Sequence, residues 1–158
     1  MLHIKLLQVG KTFQPFVQEG ITEFEKRLKH YCTLETITIS DVKNAANLTH
    51  EQVKKQESII ILKHVTNTDT LLLLDERGIQ YTSVELANYF NKQINAGVKK
   101  ITVVIGGAFG FDESVYARAN GLISLSKLTF SHQMVRLFLV EQIYRAFTII
   151  KGEKYHHQ

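Results

Sequence analysis

At 158 residues, with 44% hydrophobic and 22% charged residues, the chain has the make-up of a globular domain large enough for a real core. No apolar run reaches 18 residues, which excludes a membrane-spanning helix, and the single cysteine, Cys32, excludes an internal disulfide and fits a reducing cytoplasm. Net charge is +4, yet residues 1–120 hold 14 Lys+Arg against 13 Asp+Glu and residues 121–158 hold 5 against 2, so the basic excess lies at one end. Such an excess suits a polyanionic partner, nucleic acid first, or a solvated surface.

Leu2 to Val9 reads as a first strand ended by Gly10-Lys11; with no basic leader before it, the stretch is not expected to be a signal peptide. Pro15, the only proline, suits the first turn of a helix. Phe16, Ile21, Phe24 and Leu28 then recur at helical spacing, giving an amphipathic helix to about His30. Leu34 to Ser40 alternates like an edge strand. A polar loop, Asp41 to Asn47, precedes a helix capped by Asn47 or Thr49 and running to about His64. After a turn at 67–69, Thr70 to Leu74 is continuously apolar, as a central parallel strand is. Asp75-Glu76-Arg77-Gly78 is expected to be a charged loop. Thr82 or Ser83 caps a helix through Leu86, Tyr89, Phe90 and Ile94, which Gly97 ends.

Ile101 to Ile105 is β-branched and apolar, the pattern of a buried strand. A short helix from Asp112 to Asn120, a last strand from Gly121 to Leu125 and a long helix from Gln133 to Ile150 complete the chain. This alternation predicts an α/β fold: a parallel sheet with helices on both faces, in a single domain over residues 1–158. The long helix is apolar around much of its circumference, which implies burial on a second side, as in a subunit interface. Glu141 and Arg145 stand at i,i+4 and are spaced to pair.

Two loops at strand ends carry the candidate chemistry. Gly106-Gly107-Ala108-Phe109-Gly110 follows a strand directly, and glycines there permit close approach to the main chain. Its spacing is neither the dinucleotide fingerprint nor a P-loop. Leu125 to Phe130 joins strand to helix yet keeps Leu128 and Phe130, which implies that part of it is buried. Loops after neighbouring parallel strands form ligand crevices. No His, Cys or carboxylate cluster has metal-ligand spacing.

The segments VVIGGAFG, SKLTFSHQMVR, EQIYRAF and KYHH, together with the opening IKLLQVGK and the helix segment EFEKRL, closely resemble the RlmH family of the SPOUT superfamily. The likeness runs over essentially the whole chain. It implies a SPOUT-type sheet with a C-terminal trefoil knot, a homodimer, and S-adenosylmethionine as cofactor. It also implies methylation of N3 of a pseudouridine, in the 23S rRNA stem-loop at the subunit interface of the ribosome. Carried onto this chain, the cofactor contacts fall on Leu74, Gly106, Leu125, Ser126, Lys127, Leu128, Thr129 and Phe130. Tyr155, His156, His132 and Arg145 are the polar candidates for catalysis, and Arg136, Lys151 and Lys154 for RNA contact. The tail bearing Tyr155 and His156 is expected to be poorly anchored until substrate binds. Two rivals remain: a nucleotide-binding enzyme on an ordinary flavodoxin-like sheet, and a non-catalytic rRNA-binding factor with the same fold.

Overall fold

A computed structural model describes residues 1–157. Five parallel strands, β1 (His3–Val9), β2 (Thr33–Ile39), β3 (Thr70–Gln80), β4 (Lys100–Ile105) and β5 (Gly121–Ser124), lie in the order β2-β1-β4-β3-β5. Helices α1 (Pro15–Leu28), α3 (Ser83–Asn95) and α5 (His132–Ile150) cover one face, while α2 (His50–Lys63) and α4 (Glu113–Arg118) cover the other. The parallel sheet with helices on both faces is therefore present as expected. Strand residues alternate between two cores, Ile4, Leu6, Leu72 and Val103 on one face and Leu7, Leu71, Leu73 and Val104 on the other. Each such side chain contributes about 1.5–3 kcal/mol by leaving water.

Local chemistry sets the helix ends. Thr49 and Thr82, one from each predicted pair, are the N-caps, each in a reciprocal capping box with Gln52 or Glu85. Ser131 caps α5 by accepting from the Met134 amide, so the helix begins at His132. Both α3 and α5 end on a glycine with positive φ, Gly97 at 82° and Gly152 at 69°. In each, the next amide returns to a carbonyl five residues back, Val98 to Gln93 and Glu153 to Thr148.

Asp75 to Gly78 departs from expectation. It is not a loop: β3 runs on to Gln80, and its pairing with β5 resumes at Ile79 after a register shift. The Asp75 carboxylate accepts from the Tyr116 hydroxyl and the Arg77 amide, so these polar residues are satisfied within the fold. Gly78 has no side chain to hold β3 off the backbone of β5. Leu128 also departs from expectation, being 74% exposed, whereas Phe130 is half-buried against Phe138 with ring centroids 5.0 Å apart.

Candidate active-site cleft

The middle of β3, from Leu74 to Arg77, and the carboxyl ends of β4 and β5 open into one cleft of about 1340 Å³. Leu74, Gly106 and the whole of Leu125–Phe130 line it, so the eight residues marked from sequence converge on one place. Leu74, Ile105, Leu122 and Val135 provide apolar wall, and Lys54, Asp75, Arg77, Glu113 and Lys127 provide charge. The serines shape the 125–130 loop: Ser124 Oγ donates to the Ser126 carbonyl at 3.1 Å, and Ser126 Oγ accepts from the Leu128 amide at 3.0 Å. Among the described residues, the amides of Leu125, Lys127, Thr129 and Phe130 find no partner within the chain. A ligand edge with acceptors, such as a purine, matches such a row of free donors.

Neither glycine of the Gly106-Gly107 pair leaves room for a side chain. A Cβ on Gly106 would stand 2.9 Å from the Phe111 ring, and one on Gly107 would overlap the Glu57 carboxylate. Glu57 is buried with Oε1 unpartnered, and desolvation, followed by repulsion from Asp41, raises its carboxyl above the ordinary value.

Sequence reasoning passed over the rim of this cleft. Arg77 lies over the Tyr116 ring at 4.7 Å, with Asp75 bonded to both. Burial pushes the Asp75 carboxyl up, but hydrogen bonds from Tyr116 and Arg77 outweigh it and hold the group below its usual range. A charged triplet directly after an apolar strand was the available signal.

The catalytic candidates divide into two places. His132, in the first turn of α5, lines the cleft. Arg145 is 13 residues further on, about 20 Å along the helix axis. There Arg145 pairs with Glu141 at 2.6 Å and meets His156 Nδ1 at 3.2 Å, while its guanidinium stacks on the Tyr155 ring. The Tyr155 hydroxyl donates to Glu141 Oε1 at 3.0 Å, and burial, with that bond, raises its pKa. The expected pairing of Glu141 with Arg145 is thus present, but the expectation of a poorly anchored tail is corrected: Tyr155 and His156 dock on α5. Tyr31 adds to this by donating to Glu153 at 2.5 Å.

Arg136 is the other correction. It is 3% exposed and cannot meet phosphates from its position under the β1 end. Its Nη2 donates to the Val9 carbonyl at 2.7 Å and its Nη1 to Thr12 Oγ1 at 3.0 Å. Helical spacing cannot separate a solvent-facing arginine from one turned to a neighbouring strand end. Lys151 and Lys154 are exposed. No metal-binding group of His, Cys, Asp and Glu occurs among the described residues, and no helix there is long and apolar enough to cross a membrane.

Residues 2–156 match a family model described as "Predicted SPOUT methyltransferase". The chain belongs to the SPOUT methyltransferase family. Relatives of this SPOUT methyltransferase include proteins named "Ribosomal RNA large subunit methyltransferase H". That of Flavobacterium psychrophilum is 47% identical over 157 residues, covering 99% of this chain and all of the relative. That of Christiangramia forsetii is 49% identical over 155 residues, covering 98% and 99%. That of Geotalea daltonii is 44% identical, covering 99% and 100%. In this SPOUT methyltransferase the matched region takes in the cleft, both of its strand-end loops and the docked tail.

Proposed function

We propose that this protein transfers a methyl group from S-adenosylmethionine to N3 of a pseudouridine in the 23S rRNA stem-loop at the subunit interface, acting on ribosomes as a homodimer. The chain around the cleft would be threaded as the trefoil knot of its family. One observation carries this reading: Leu74, Gly106 and Leu125–Phe130, far apart in sequence, line a single cleft in a chain whose full-length relatives bear an rRNA methyltransferase name.

The cleft's residues fit the cofactor. The free amides of the 125–130 loop suit an adenine edge, the apolar wall suits its faces, and the charged rim suits the amino-acid end. When bound, the cofactor supplies an electrophilic methyl carbon. The protein need not provide a nucleophile, because the base nitrogen attacks. Its work is to hold the two reactants in line and to accept the imide proton.

Within one protomer Arg145, Tyr155 and His156 lie too far down α5 to touch the cleft. A two-fold axis across the middle of α5 would bring the tail of one protomer to the cleft of its partner, beside His132. Phe13, Phe16 and Phe138, 72%, 61% and 40% exposed, supply apolar surface for such a contact. Lys151 and Lys154 then face the RNA backbone.

The reading is tested by incubating the protein with methyl-labelled S-adenosylmethionine and either ribosomes or free 23S rRNA. Label at a single pseudouridine, on N3, is expected. Binding of ribosomes without transfer would leave only an rRNA-binding role.

A further inference from the structure

A second cavity, of about 360 Å³, opens between α3, the end of β5 and α5. It shares Ser124, Leu125 and Phe130 with the cleft, so the two spaces adjoin at the loop proposed above to hold the cofactor. Its walls are Tyr81, Leu86, Ile123 and Phe138, two of them aromatic. None of its lining residues is charged, in contrast to the cleft with Lys54, Asp75, Arg77 and Lys127. A zwitterionic amino-acid tail would lose its hydration there without an ionic partner, so the cavity suits a neutral, flat group.

The polar edge of the cavity is set by Gln142. Its Oε1 accepts from Ser83 Oγ at 2.8 Å, and its Nε2 donates to Glu141 Oε2 at 2.8 Å. The other Glu141 oxygen is held by Arg145 and Tyr155. A carboxylate accepts only, so Glu141 fixes which end of the amide is nitrogen. Four possible bonds less two leaves Gln142 with one N–H donor and one carbonyl lone pair. A pseudouridine offers the matching pair on its other edge, the N1–H and the C2 carbonyl, which leaves the imide N3 free.

We infer that this cavity receives the target base: a pseudouridine swung out of the RNA stack, its N1–H and C2 carbonyl read by Gln142 and its faces against the aromatic wall, with N3 turned to the adjoining cleft. This inference rests on the proposed methyl transfer to a pseudouridine and adds the residue that reads the base. Single-stranded or flipped bases are commonly gripped in this way, by stacking and by bonds to their polar edge. Gln142 was absent from the residues marked by sequence, since a glutamine beside a helical ion pair carries no signal of its own.

The test uses the full-length protein and two RNA hairpins, one carrying the target base and one abasic at that position. Wild-type protein should bind the complete hairpin on the order of 10- to 100-fold more tightly than the abasic one, as expected for two hydrogen bonds and a stack. Gln142→Leu should abolish that preference and cut methyl transfer by a similar factor, with S-adenosylmethionine affinity and thermal midpoint unchanged. Ser83→Ala, which only loosens the amide, should give a smaller loss of the same kind and serves if Gln142→Leu does not fold. A Gln142→Leu protein that keeps the preference for the complete hairpin overturns the inference. So does one whose loss of activity is matched by loss of cofactor affinity, because the cavity then belongs to the cofactor. If wild-type protein neither binds the cofactor nor transfers methyl groups, the functional reading itself fails; if it does both but ignores the missing base, only this inference fails.

Discussion

Gly78→Ala should damage both stability and the cleft. A Cβ at Gly78 would stand 2.5 Å from the Ile123 carbonyl carbon, 2.6 Å from the Ile123 nitrogen and 2.7 Å from the Leu122 carbonyl carbon. Carbon atoms at ease sit about 3.5–4.0 Å apart, so roughly 1 Å of separation must be found. All three atoms are main chain, and no rotamer change relieves them. Overpacking of this kind costs about 1–3 kcal/mol, or roughly 3–10 °C of thermal midpoint for a domain this size. The strand that must give way is β5, which leads directly into Leu125–Phe130. A displacement of about 1 Å at a site of this kind costs on the order of 100-fold in rate. Differential scanning calorimetry and the rate of methyl transfer measure the two effects. Gly121→Ala is the control, since its Cβ meets only the tip of the Leu72 side chain at 3.2 Å. A Gly78→Ala protein with wild-type midpoint and wild-type rate would refute the reasoning.

Phe138→Asp should convert the proposed dimer of about twice 18.1 kDa into a monomer, read by light scattering, since that ring is 40% exposed on α5; an unchanged mass would place the interface elsewhere. Asp75→Asn should cost about 1–3 kcal/mol near neutral pH, because the carboxylate holds both Tyr116 and Arg77. The folded-state pKa of Asp75 is depressed, so its stabilisation is present above the unfolded carboxylate value and is lost as pH falls through the lower folded value. In urea denaturation the gap between wild type and variant should therefore close in acid; a gap independent of pH would show that the charge is immaterial. Ending the chain at Lys154 should leave cofactor affinity within about twofold while removing methyl transfer, whereas full activity would shift the chemistry onto His132.

The fold was largely legible because its elements announce themselves locally. Apolar β-branched runs, capping threonines and terminal glycines mark strands and helix ends without reference to tertiary structure. The cleft was legible for the same reason, as it lies where β4 and β5 stop and where the apolar run of β3 gives way to charge. What escaped depended on the third dimension. Asp75 to Gly78 looked like a loop because charge usually means water, yet here the charges sit on a strand, Asp75 pairing with Arg77 while Glu76 and Arg77 stay exposed. Arg136 looked like a surface base, and only the packing of α5 on β1 shows it turned inward to Val9. The tail looked free because it is polar, but Glu141 and Arg145, themselves paired, offer it a docking point. Gln142 and Ser83 are 59 residues apart, and no sequence period connects them.

Where the methyl group goes is the most direct test of the proposed activity. Ribosomes lacking the modification, incubated with the protein and methyl-labelled S-adenosylmethionine, should take up about one methyl group per large subunit. Mass spectrometry of the digested RNA should place it on N3 of a single pseudouridine in the 23S stem-loop at the subunit interface. Label on another nucleotide, on another atom, or on no RNA at all would contradict the account.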